Sequence, residues 1–155
     1  MNVGGVNHRS GGSASEMSIR ETIDSDFPTA RKIQKRVLAA VDACGYGGQS
    51  RFAIQLAVEE VLINAIKHGN QLDPAKKVHV NVTVAPNQTE IIVEDEGPGF
   101  ERAKVPDPTK DENLEKIDGR GILLMESYMD LVEYSKGGRR IRMIRKNQER
   151  PPRPH

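Results

Sequence analysis

VEEVLINAIKHGN, residues 58–70, is the stretch on which the reading of this chain turns. Val58, Val61, Leu62, Ile63, Ala65 and Ile66 make most of it read as the inside of a buried helix. Glu60, Asn64 and Lys67 interrupt it at spacings of four and three, which at about 100° per residue places them in one narrow stripe. A carboxylate and an amide on an otherwise apolar helix are costly to bury without partners. The stripe therefore asks for a partner that the helix itself does not supply.

The flanking sequence predicts the other elements. MSIRETIDS alternates weakly and suits a first strand. PTARKIQKRVLAAVDACGYG reads as a helix, with Pro28 in its first turn, an apolar stripe of Ile33, Val37, Leu38 and Val41, and Gly45 as its stop. Ser50 is the expected N-cap of the second helix, which Gly69 and Asn70 end. After the turn LDPAKK, VHVNVTVA alternates strictly, with four valines on one face, and TEIIVEDEG returns as its antiparallel partner. Residues 97–121, GPGFERAKVPDPTKDENLEKIDGRG, are rich in Pro, Gly and charge. A segment of that length without structure inside a small domain is expected to be functional, as a lid. RGILLMESYM resumes a helix, and LVEYSK and RRIRMIRK are two strands joined at Gly137-Gly138. The order β-α-α-β-β-lid-α-β-β predicts an α+β fold, a two-layer sandwich with a mostly antiparallel sheet and helices on one face.

Composition bounds what such a domain can be. The 155 residues suffice for one compact domain, expected over 18–147. Residues 1–17 and 148–155 are expected to be disordered, the first Gly/Ser/Asn-rich and the second a ragged QERPPRPH end. Cys44 is the sole cysteine, which excludes a disulfide framework and a cysteine metal cluster. There is neither a membrane-length apolar run nor a hydrophobic signal core, so a cytoplasmic protein with no membrane partner is expected. The net charge of +1 hides an asymmetry: residues 136–155 hold eight Lys or Arg against one Glu. A basic end of that kind suits nucleic acid or an acidic partner, but an edge strand with Arg on its wet face explains it more simply.

Two glycine pairs carry chemistry. In EDEGPGF, Asp95 ends a strand and Gly97 and Gly99 let the backbone turn and approach a ligand, although a plain turn would use the same residues. In DGRG, Gly119 and Gly121 precede a helix, where free N–H groups favour an anion. Neither pair matches a dinucleotide-binding or P-loop pattern. Together with the polar stripe they supply what a nucleoside triphosphate needs: an amide oxygen for Mg²⁺, a carboxylate for an exocyclic amine, N–H groups for phosphates and a second carboxylate to polarise a hydroxyl.

EEVLINAIKHGN, VEDEGPGF and GRGILLMESYMD resemble the N box and the two glycine boxes of the Bergerat-fold (GHKL-type) ATPases, which include gyrase B and histidine-kinase catalytic domains. The short length, the HGN helix end and the PDPT…ENL segment are closer to the anti-sigma-factor serine/threonine kinase branch. The resemblance runs from about Asp26 to Lys146. It implies ATP and Mg²⁺ as cofactors, Asn64 as the metal ligand, Glu60 as the catalytic base and Asp95 as the acceptor of the adenine amine. It implies Gly97 and Gly99 as shapers of the base pocket, and Gly119, Arg120 and Gly121 as the residues that close on the phosphates. Lys67 would add a phosphate contact or sit solvated. Many relatives carry Gly-Thr after the last hairpin turn, where this chain has Gly138, Arg139 and Arg140.

The function so implied is an Mg-ATP-dependent protein kinase that acts as an anti-sigma regulatory factor. Its partners would be an anti-sigma factor antagonist as substrate, a sigma factor, and a second copy of the chain. The alternative is a non-enzymatic ATP-binding module that controls a partner by docking. A nucleic-acid binder using the basic end is the third reading, and direct nucleic-acid binding is not expected.

Overall fold

The computed structural model describes residues 6–9 (backbone only), 16–98 and 124–154. Six strands form one sheet: β1 (Val6–Arg9), β2 (Glu16–Asp24), β3 (Lys77–Val84), β4 (Gln88–Asp95), β5 (Leu131–Ser135) and β6 (Arg140–Lys146). Their order is β1-β2-β3-β4-β6-β5, and each neighbouring pair is antiparallel. The helices α1 (Phe27–Ala43) and α2 (Gly48–Asn64) pack on one face, as the predicted sandwich requires. A further helical segment, α3, covers 124–128. Val6–Arg9 falls in the expected disordered lead-in but pairs with Glu16–Ile19 as an edge strand.

The core follows from alternation. Val78, Val80, Val82 and Val84 point inward from β3, and Ile91 and Val93 do so from β4. Asp95 and Arg145 are the next inward positions on β4 and β6, after Val93 and Met143. The period of two thus carries one carboxylate and one guanidinium into the apolar layer. Helix α1 begins at an Asp26 N-cap that accepts from Thr29 N at 2.8 Å, worth about 1 kcal/mol. It buries Ile33, Val37 and Val41.

Helix α2 has a different start from the expected one. Its N-cap is Gly47, with no capping side chain of its own. Ser50 lies inside the helix, fully buried, and its hydroxyl donates to Gln148 O at 2.8 Å while accepting from Gln148 N at 2.9 Å. The cap comes from the other end of the chain: Glu149 Oε2 accepts from Gln49 N at 3.1 Å, and Asn147 Oδ1 from Gly47 N at 3.2 Å. A carboxylate at the positive end of a helix is a favourable placement.

Residues 148–153, expected as a loose tail, are therefore tied to the domain. Arg145, with 0% exposure, donates to Tyr128 O at 2.5 Å, Gln148 O at 2.7 Å and Lys146 O at 3.1 Å. Arg150 donates to Tyr128 O at 2.7 Å, and Arg153 Nη2 lies 3.2 Å from Asp130 Oδ1. Arg145 and Arg150 satisfy the Tyr128 carbonyl at the end of α3, which a helix leaves without a partner. The basic C-terminal end is largely engaged within the protein, since Lys136 meets Glu94 and Arg142 meets Glu90 and Glu133. Strand β6 is also not an edge strand, because β5 lies outside it.

Arg145→Ala should remove three charge-assisted hydrogen bonds to carbonyls and lower stability by about 3 kcal/mol or more. Urea unfolding measures this; a loss below about 1 kcal/mol would show that water replaces the guanidinium without cost.

Candidate functional site between helix and sheet

The helix that carries the opening stretch does not end as a regular α-helix. After Asn64 it widens into a π-helical turn, Ala65–Gly69, in which Asn70 N donates to Ala65 O at 2.8 Å. Such bulges concentrate at functional sites. The reason here is Asn70, which has 0% exposure. Its Nδ2 donates to Ser25 Oγ and Lys77 O, each at 2.9 Å, and its Oδ1 accepts from Glu96 N at 2.7 Å. One side chain thus joins the end of α2 to the β2–α1 turn, to β3 and to the residue after β4.

That anchor presses backbone onto carboxylate. A Cβ on Gly69 would lie 2.2 Å from Asp95 Oδ2, and one on Gly97 would lie 1.7 Å from Gly69 O. Real side chains do not fit at either position, so both residues are glycine for close approach. Asp95 is 6% exposed. Among the described residues its carboxylate accepts from Gly97 N at 2.9 Å. Burial raises the Asp95 carboxyl above its ordinary value, against the opposing pull of the Gly97 N–H and of Arg139.

Asn64 faces the same space. The cleft is lined by Val61, Ala65, Val93, Met125 and Ile141, with Asn64 and Asp95 as polar groups among apolar walls. Asn64 Oδ1 is buried with no hydrogen-bond partner among the described residues. Leaving such an oxygen unpaired costs about 1–3 kcal/mol, so it is disposed to accept a cation or a donor. The cleft is lined mostly by apolar side chains with a few convergent polar groups, a lining of the kind found at small-molecule sites.

The expected residues sort clearly. Asn64 and Asp95 meet in one cleft, and Gly97 packs at its edge. Glu60, one turn before Asn64, is half-buried. Lys67 is exposed and lies in the π turn, where the 3.6-residue period behind the stripe no longer applies. Gly99, Gly119, Arg120, Gly121 and the expected lid, residues 100–118, lie outside the described residues. Sequence reasoning took Gly69 and Asn70 as a helix stop alone. Gly69 was legible only as the glycine of HGN, whereas Asn70 depends on partners up to 45 residues away.

A family model described as a histidine kinase-like ATPase domain matches residues 23–145. The chain belongs to that family. The matched span contains every element that builds the cleft, from the α1 cap to β6. Among curated proteins, the chain is similar to an "Anti-sigma F factor" of Clostridium perfringens, 35% identical over 99 residues, which are 61% of this chain and 70% of that protein. It is similar to proteins of the same name from Heyndrickxia coagulans, 40% identical over 51% of this chain and 56% of the relative, and from Anoxybacillus flavithermus, 36% identical over 54% and 59%. These relatives support the anti-sigma-factor branch of the ATPase family. Among the described residues, no helix is long and apolar enough to cross a membrane.

The raised Asp95 carboxyl makes a prediction with a definite sign. Protonation favours the folded state, so the ligand-free protein is more stable below the ordinary Asp value and loses that increment as pH rises through the raised one. Asp95→Asn should abolish this pH dependence and, at neutral pH, melt no lower than the native protein in the absence of nucleotide. A lower melting temperature for Asp95→Asn would mean that the carboxylate serves the fold rather than a ligand.

Proposed function

We propose that this chain is a cytoplasmic, Mg-ATP-dependent protein serine/threonine kinase and anti-sigma regulatory factor. Its substrate would be an anti-sigma factor antagonist, and it would also hold a sigma factor. The observation that carries the nucleotide reading is the pairing, in one apolar cleft, of an unpartnered Asn64 Oδ1 with a buried Asp95 carboxylate. The names of the relatives support the regulatory part.

The residues suit the roles. Asp95 is an acceptor at the inner end of β4, and an adenine amine is a donor that would match it. Asn64 would hold Mg²⁺ through Oδ1. Among the described residues no three His, Cys, Asp or Glu side chains converge as a metal site. The ion would therefore take its other ligands from phosphates and water, as Mg²⁺ ordinarily does. When bound, the ion supplies charge neutralisation for the phosphates.

Glu60 would then act on the protein substrate. Its carboxylate accepts the proton of a serine or threonine hydroxyl as that oxygen bonds to the γ-phosphorus. The bond between that phosphorus and the ADP oxygen breaks, leaving ADP and a phosphorylated antagonist. The antagonist gains a charge of about −2, enough to repel it from an interface it previously fitted.

Two measurements check this. Mg-ATP at a hundredfold excess over Kd should stabilise the fold by about 2.7 kcal/mol, a rise of several degrees in Tm. Glu60→Gln should keep that rise yet lose at least about a hundredfold in transfer to the antagonist. No shift in the native protein would remove the nucleotide reading. A shift without phosphorylation would leave a module that acts by docking.

A further inference from the structure

The mechanism above makes no use of one side of the cleft. Arg139 follows the tight turn Lys136–Gly138 and lines the same space as Asn64 and Asp95. Its main chain is tied to the strand end that bears the carboxylate, since Asp95 N donates to Arg139 O at 3.0 Å. Its side chain is steadied separately, with Nε donating to Lys136 O at 3.1 Å. Among the described residues this is the one hydrogen bond of the guanidinium, and its terminal nitrogens have none. The neighbouring Lys136 and Arg142, by contrast, meet carboxylates on the outer face of the sheet.

We propose that Arg139 is a purine-binding residue of this cleft, laying its planar guanidinium on the face of a base whose amine-bearing edge meets Asp95. The inference rests on the nucleotide reading. The cleft holds an acceptor, Asp95, apolar side chains from α2, α3, β4 and β6 around it, and a cation at the hairpin end. A flat ring directed edge-on at Asp95 has two faces to cover. The apolar side chains would cover one, and among the remaining lining side chains Arg139 is the one that is both planar and charged. A guanidinium stays ionised, is weakly hydrated and stacks on aromatic faces, which an ammonium group does not reproduce. Bringing it near Asp95 also lowers the cost of keeping that carboxylate ionised, together with Lys76 and against Glu94. Nε, held by Lys136 O, restricts the rotation of the plane before a ligand arrives.

The test is calorimetric titration with Mg-ATP and with Mg-inosine triphosphate, which has a purine face but lacks the exocyclic amine. It uses the native protein, Arg139→Ala and Arg139→Lys. Arg139 is exposed, and melting curves without nucleotide verify that the variants fold. Arg139→Ala should weaken ATP binding roughly three- to thirtyfold. Because stacking does not depend on the amine, inosine triphosphate should weaken by the same factor within about twofold. Arg139→Lys, with the charge but not the plane, should recover little. Unchanged affinity in Arg139→Ala overturns the proposal. So does a loss confined to ATP, which would mean that Arg139 acts only through Asp95, and so does full recovery in Arg139→Lys. If the native protein binds neither nucleotide, the nucleotide reading itself fails, before any substitution is made.

Discussion

The backbone of Gly69 lies against the carboxylate of Asp95, and Gly97 lies against Gly69. No side chain fits between them. This contact brings the end of α2 onto the end of β4, so that Asn64 and Asp95 face one cleft. Asn70 holds the contact from behind, with hydrogen bonds to three other segments. The π turn follows from the same requirement, since a regular α-helix would not deliver Asn70 to its partners in this position. Packing of apolar side chains makes the sandwich, but the glycine contact turns its open end into a site.

The cleft is built from groups left short of partners. A carboxylate with one described donor and an amide oxygen with none are costly in an apolar setting. Other buried polar side chains are well satisfied: Ser50, Asn70 and Arg145 are fully buried and each makes two or more hydrogen bonds. Under the proposed function, stability forgone at Asn64 and Asp95 would become available as binding energy when a ligand supplies the missing donor and cation.

Much of this was legible in the sequence, for reasons that particular residues show. VHVNVTVA reads as a half-buried strand because alternation is a local consequence of the pleat. The same period, carried two residues further along the neighbouring strands, puts Asp95 and Arg145 inward. Glu60 and Asn64 lie where the helix keeps its regular period, whereas Lys67 lies where it widens. The C-terminal end was not legible. Its Pro and Arg content resembles a solvated tail, and several of its partners are backbone groups, such as the carbonyls of Ser127 and Tyr128, which any sequence would offer. Ser50 misled for a similar reason: a serine near a helix start is a reasonable cap, but the segment it binds arrives from 98 residues away.

The claim that the cleft between α2 and the sheet receives a nucleotide can be tested residue by residue. Titration of the isotopically labelled protein with Mg-ATP, followed by amide resonances, reports each position separately. The account predicts that the Asn64 side-chain amide and the backbone amides of Gly69 and Gly97 shift first and furthest. Thr83 and Arg142, on the opposite face of the sheet, should remain in place. Shifts confined to that outer face, or an unchanged Asn64 at saturating nucleotide, would contradict it.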